Sequence, residues 1–224
     1  MVIRRLGCAF LLVLLAAVTS CKARPGGIII FCVGDSITEQ GYPRFLRESL
    51  RSEGVKARVL NHGRSGNTSA EYLSFLKGNF DTLRDERPDI VLVELGTNDV
   101  RVDGDRVSRE EFKRNMREIV GIFRDFKTRS GGRPAILLAS IPPVPDGMAF
   151  PFGPESGQRV IAEINPAVEA VCRETHAVFV DNYSLFADSL GLLSGVHPGP
   201  EGYRAMARNW HMAMKPLIAR LVRR

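Results

Sequence analysis

Short apolar runs alternate with longer stretches of helical spacing along most of the chain. Five runs read as strands, at 28–33, 57–60, 90–95, 135–140 and 177–180. They are rich in Val, Ile and Leu and apolar at nearly every position, the pattern of strands covered on both faces. Helical patterns lie between and after them, over 43–52, 69–76, 108–126, 158–174 and 200–222. The third is the clearest. Phe112, Met116, Ile119, Val120 and Phe123 recur at helical spacing, and Ser108 with Glu111 predicts a capping box at its start. Strands alternating with helices predict an α/β fold, a three-layer α/β/α sandwich on a five-stranded parallel sheet.

The first twenty residues stand apart from this pattern. Arg4 and Arg5 precede an almost wholly apolar run over 6–18, followed by the small residues Thr19 and Ser20. That is the layout of a secretory signal, and the run is too short to span a bilayer comfortably. Val18, Thr19, Ser20 and Cys21 together resemble a bacterial lipobox, which implies cleavage before Cys21 and diacylation of its thiol. The alternative is plain signal cleavage with Cys21 an ordinary residue. The expected organisation is a signal peptide over 1–20, a short linker over 21–26 and one folded domain over 27–224. The expected location is the bacterial cell envelope, with lipid at Cys21 as the chain's only hold on the membrane.

Composition narrows the choice of class. A chain of 224 residues buries a full core without disulfides or metal. With 44% hydrophobic and 25% charged residues, neither disorder nor a polytopic membrane protein is indicated. The net charge of +6 is spread along the chain, and no module interleaves basic with aromatic residues, so nucleic acid is not an expected partner. A modest attraction to anionic lipid or polysaccharide stays open. Cys8 leaves with the signal, while Cys32 lies in the first strand and Cys172 beside Val168 and Val171 on a helical stripe. Two buried free thiols are expected of the latter pair, although an oxidising compartment permits a bridge. No Cys/His cluster has metal-ligand spacing.

Candidate chemistry gathers where a parallel sheet binds ligands, at the carboxyl ends of its strands. The first strand is followed by Gly34, Asp35, Ser36, Ile37 and Thr38; the second by a polar segment over 61–68 that contains Ser65, Gly66, Asn67 and Thr68. The third leads into Gly96, Thr97, Asn98 and Asp99, and Ser194, Gly195, Val196, His197 and Pro198 precede the last helix. A serine hydroxyl needs a base to accept its proton, and His197 is the candidate for Ser36. The oxyanion of acyl transfer needs preorganised donors, which a glycine N–H at Gly66 and the carboxamide of Asn98 suit.

These four blocks, in this order, resemble those of the SGNH (GDSL-type) hydrolases. The match runs from the first strand to the last helix. It implies an SGNH-hydrolase, flavodoxin-like fold and a serine esterase that needs no metal or organic cofactor. Carried across, Ser36 resembles the nucleophile and lends its backbone N–H to the oxyanion hole. Gly66 and Asn98 resemble the other donors, and His197 the base. The chain departs from the pattern at Ser194, where the family carries an aspartate three residues before the histidine. Three explanations stand: a backbone carbonyl near Ser194 holds the imidazole in a Ser–His dyad, Asp188 or Asp181 reaches it instead, or the protein binds ligand with little or no turnover.

Other residues have plainer readings. His62, His176 and His211 are structural or surface residues, and Tyr203 and Trp210 pack the last helix. Asp35 orients the nucleophile loop and Asp99 braces its own. Asn67, Thr68 and Ser69 spell a glycosylation pattern that a bacterial-style signal makes irrelevant. The proline-rich segment 142–155 carries Met148, Phe150 and Phe152 and leaves the same sheet edge, so it lines an acyl pocket, stacks on a sugar or packs itself down. The expected substrate is a short-chain carboxylic ester, an O-acetyl group on a glycan first. The alternatives are lysophospholipid or thioester hydrolysis, or noncatalytic glycan binding.

Overall fold

The computed structural model describes residues 26–223. The expected signal peptide, Cys8 and Cys21 lie outside the described residues. The chain enters at β1 (Ile28–Gly34) and passes through α1 (Ser36–Gln40), α2 (Tyr42–Ser52), β2 (Ala57–Gly63), α3 (Ser69–Gly78) and α4 (Phe80–Asp85). It continues through β3 (Ile90–Glu94), α5 (Arg109–Asp125), β4 (Ala135–Ala139), α6 (Pro154–Arg159), α7 (Asn165–Thr175) and β5 (Val178–Val180). Next come α8 (Ser184–Ala187), β6 (Leu193–Ser194), β7 (His197–Pro198) and α9 (Pro200–Val222).

The five long-range strands form one parallel sheet in the order β2-β1-β3-β4-β5. Alternate residues of the inner strands feed two cores. Ile28, Ile30, Cys32, Ile90 and Leu92 face α2 and α9, where Trp210 stacks on Tyr42 at 6.0 Å. Phe31, Val33, Val91 and Val93 face α3, α5 and α7. Each large apolar side chain buried this way contributes about 1.5–3 kcal/mol relative to exposure. Because β1 connects outward to β2 and the chain then returns to β3 on its other side, the loops after β1 and β3 diverge. This is the switch point, the place at which such sheets bind ligands.

The predicted three-layer architecture and all five strands are present, with differences that have physical causes. Only β1 and β3 are buried at every position; β2 is buried only at Val59 and Gly63, and β5 leaves Val178 and Phe179 exposed, because these two are the edge strands. The predicted helix over 158–174 is longer and interrupted: α6 passes through a π-helical turn at Val160–Ile164 into α7. Ser108 accepts from the Glu111 N–H at 3.3 Å, but the reciprocal half of the expected box does not form. A complete capping box stands at Thr68 and Glu71 instead. Cys32 and Cys172 are free and buried, on opposite faces of the sheet, which keeps them from bridging.

Candidate active site

Ser36 is the first residue of α1, immediately past β1. Gly34 makes the turn possible: a Cβ there would lie 2.1 Å from Thr38 Oγ1 and 2.4 Å from the Glu94 carbonyl oxygen. Asp35 is the N-cap, its Oδ1 accepting from the Ile37 N–H at 2.9 Å, as the short polar helix requires. The strand end and the cap fix the serine from both sides. Ser36 is 9% exposed.

His197 arrives from the far end of the sequence. Residues 193–198 form a two-stranded hairpin in which Ser194 pairs with His197, and Gly195 takes the left-handed conformation at the turn. This ribbon brings His197 Nε2 to 2.8 Å from Ser36 Oγ. With the imidazole proton on Nδ1, the hydroxyl donates to Nε2, which is the geometry of general-base activation. Partial burial holds the imidazole below the ordinary histidine value of 6.5, so it is a neutral acceptor at neutral pH.

The oxyanion candidates meet at the same edge. Gly66 has φ +81°, a conformation that strains any side-chain-bearing residue, while no neighbour lies within 4 Å of the place its Cβ would take. The requirement at Gly66 is therefore backbone conformation and not room. Asn98, 8% exposed, donates one amide hydrogen from Nδ2 to the Asn67 carbonyl at 3.0 Å, keeping the second for another acceptor. The loop after β2 is tied to the nucleophile turn as well. The Arg64 N–H donates to the Gly34 carbonyl at 2.8 Å, and Ser65 donates from its N–H to Glu39 of α1 at 3.0 Å.

Beneath these loops lies a buried network. Asp99 accepts from the Ser69 N–H at 3.0 Å and from its hydroxyl at 2.5 Å, and Asn115 of α5 donates to Ser69 Oγ at 3.0 Å. Arg159, 4% exposed, donates to the Asp99 carbonyl at 2.8 Å, to the Val107 carbonyl and to Glu163 at 2.9 Å. Burial first, against the Ser69 hydrogen bonds, leaves the Asp99 carboxyl raised to about 6. The network locks the start of α3, and so the Gly66 loop, onto the segment carrying Asn98. Asp99 braces its loop as expected; Ser69, Asn115 and Arg159 were not foreseen, since their partners lie 30, 46 and 60 residues away.

The position of the absent aspartate resolves two of the expectations. Among the described residues the His197 ring makes no hydrogen bond besides that to Ser36, so no backbone carbonyl near Ser194 holds it. Asp181 is committed elsewhere: it accepts from Ser140 at 3.1 Å and from the Ser184 N–H and hydroxyl at 3.1 and 2.6 Å, closing the junction of β4, β5 and α8. Asp188 ends α8 without bonding the imidazole. The pair is a dyad whose histidine has no protein orienter among the described residues.

The remaining histidines lie apart from it. His62 packs against Phe31 at 4.4 Å and His211 bonds Ser49 at 2.7 Å, while His176 closes α7 in the left-handed conformation. The loop after β4 does border the site. Met148 packs against Gly195 of the histidine hairpin, the Val102 N–H donates to the Pro151 carbonyl at 2.9 Å, and Phe150 in the same loop is 75% exposed.

Comparison with known proteins identifies the family. The chain matches the GDSL-like Lipase/Acylhydrolase family over residues 32–205. It is 28% identical to an esterase of Pseudomonas aeruginosa, over 84% of this chain and 89% of that one. An acetylxylan esterase of Xylanibacter ruminicola is 26% identical over 84% of this chain and 43% of its own length. Among solved structures, an acetylxylan esterase of Geobacillus stearothermophilus superposes with a TM-score of 0.67 at 22% identity, covering 85% of this chain and 94% of that one. Catalytic mutants of that esterase include one aspartate and one histidine three positions apart, the spacing at which this chain has Ser194. The chain therefore belongs to the GDSL-like lipase/acylhydrolase family and is a serine hydrolase of carboxylic esters.

Proposed function

We propose that this esterase removes short acyl groups, O-acetyl first, from a glycan through an acyl-enzyme on Ser36. The observation that carries the mechanism is the 2.8 Å approach of Ser36 Oγ to His197 Nε2 beside Gly66 and Asn98. Ser36 Oγ attacks the ester carbonyl as its proton passes to Nε2, and the carbonyl electrons move to oxygen. The Ser36 and Gly66 N–H groups and the second amide hydrogen of Asn98 receive that oxyanion. Collapse expels the glycan hydroxyl, which takes the proton from His197. Water, deprotonated by His197, then releases the carboxylic acid and restores Ser36.

The glycan rests on two supports. Relatives of similar sequence and of similar fold are acetylxylan esterases. An exposed aromatic ring, Phe150, belongs to the loop whose Met148 packs against the histidine hairpin, and offers a surface on which the apolar face of a sugar can lie. The test is a substrate panel on the purified protein: acetylated xylooligosaccharides, p-nitrophenyl esters of two, four and eight carbons, a lysophospholipid and an acyl thioester. The highest kcat/KM belongs to the acetylated sugars and two-carbon ester; a preference for the eight-carbon ester, lysophospholipid or thioester overturns the substrate reading.

We also propose export and anchoring through lipid at Cys21, supported by Arg4, Arg5, the apolar run over 6–18 and the lipobox-like approach to Cys21. Membrane-bound protein labelled by palmitate in the wild type but not in Cys21→Ser is the expected result. Equal labelling of both contradicts it.

A further inference from the structure

Glu94 ends β3, in register with Gly34 at the end of β1, and lies on the same sheet face as Ile90 and Leu92. A glutamate that finishes an apolar strand is unusual, and this one is fully buried. Neither carboxyl oxygen has a hydrogen-bond partner among the described residues. Asp35, the cap of the nucleophile helix, is also fully buried, and its Oδ2 lacks a partner too. The hydroxyls of Thr38, Tyr42, Thr97 and Tyr203 are buried around the same two acids. Two acids and four hydroxyls thus share one enclosed region, in which Thr97 lies toward Asp35 and Thr38 toward Tyr42, while among the described residues nothing donates to Glu94 and no cation faces the two acids.

We propose that Glu94 is a positioning residue for the nucleophile turn and works as an uncharged carboxylic acid, its proton supplying a donor to the acceptors around Asp35. This rests on the esterase reading above for its catalytic consequence alone. Two ionised carboxylates buried side by side without counter-ions are strongly disfavoured, and protonating one relieves both the repulsion and the desolvation. The choice between them follows from their donors. Asp35 has the Ile37 N–H to stabilise a charge, whereas Glu94 has none. Burial first, and the neighbouring Asp35 second, push the Glu94 carboxyl well above the usual range, while Asp35 is raised only to about 7. The other titratable groups facing the pair are Cys32 of β1, Tyr42 of α2, Tyr203 of α9 and Asp99. None is cationic.

The test has a thermodynamic arm and a kinetic arm. Glu94 is protonated in the folded chain and ionised in the unfolded chain above about pH 4.5, so its contribution is complete below that pH and is lost as pH rises toward the folded value. Urea unfolding of the wild type and Glu94→Gln between pH 5 and 8 is expected to show the ratio of their unfolding constants changing about tenfold per pH unit, in favour of Gln at higher pH. A pH-independent ratio overturns the proposal. In p-nitrophenyl acetate hydrolysis, Glu94→Gln keeps a donor and retains at least a third of kcat, while Glu94→Leu loses at least tenfold in kcat with KM little changed. Gln as damaging as Leu, or Leu without effect, overturns the positioning role. The unfolding arm needs neither turnover nor the Leu variant, so absence of esterase activity in the wild type defeats the functional reading separately.

Discussion

At the scale of single residues, the informative departure is Ser194. Directly paired residues in an antiparallel ribbon point to the same face with Cβ atoms about 5 Å apart, so position 194 stands beside the His197 ring. An aspartate there would meet Nδ1–H, fix the tautomer and stabilise the imidazolium that forms when Ser36 gives up its proton. Ser194→Asp is therefore expected to raise kcat about tenfold or more. The same variant should move the acid limb of kcat/KM. As the proposed base, His197 works only when neutral, so activity is expected to rise with pH through its folded value, which lies below 6.5 in the wild type. A nearby carboxylate favours the charged ring and shifts that limb upward by about one unit. Unchanged turnover and an unmoved limb in folded Ser194→Asp would count against this account. Asn98 makes a second prediction at this scale. Asn98→Ala removes a proposed oxyanion donor, at a cost of about 3 kcal/mol or 10²-fold in kcat, with KM little altered.

At the scale of elements, catalytic geometry depends on segments that touch no substrate. Arg159 reaches from α6 to the carbonyl oxygens of Asp99 and Val107 and so holds the segment that presents Asn98. Arg159→Met leaves those carbonyls and Glu163 without their donor. It is expected to destabilise the protein by about 3 kcal/mol in urea unfolding, and to lower kcat more than it raises KM. The elements also show what sequence pattern can reveal. The buried runs of β1, β3 and β4 were plain because strands covered on both faces are continuously apolar. The five residues of α1 carry no periodicity to read, and the two-residue strands β6 and β7 are defined by their pairing, which no local pattern announces. Thr68 and Glu71 did carry a capping-box spacing, but the adjoining residues drew a different reading.

At the scale of the whole molecule, the sheet order explains why four distant segments form one site. Ser36, Gly66, Asn98 and His197 come from loops after β1, β2 and β3 and from the hairpin before α9, and all emerge at one edge near the switch point. Their residue types and order singled them out in the sequence as the candidates, and the fold brings their segments together. The bracing was not: Asp99 with Ser69, Arg159 with Asp99 and Glu39 with Ser65 are fixed by tertiary contact alone. Glu94 gave a partial signal, an acid closing an apolar strand, whose meaning depends on Asp35 across the register.

The central claim is that Ser36, activated by His197, is the nucleophile. Steady-state hydrolysis of p-nitrophenyl acetate by the wild type and Ser36→Ala, both shown to be folded, tests it most directly. The account predicts turnover by the wild type that falls by a factor of about 10³ or more in the variant. Equal turnover by the two proteins would contradict it.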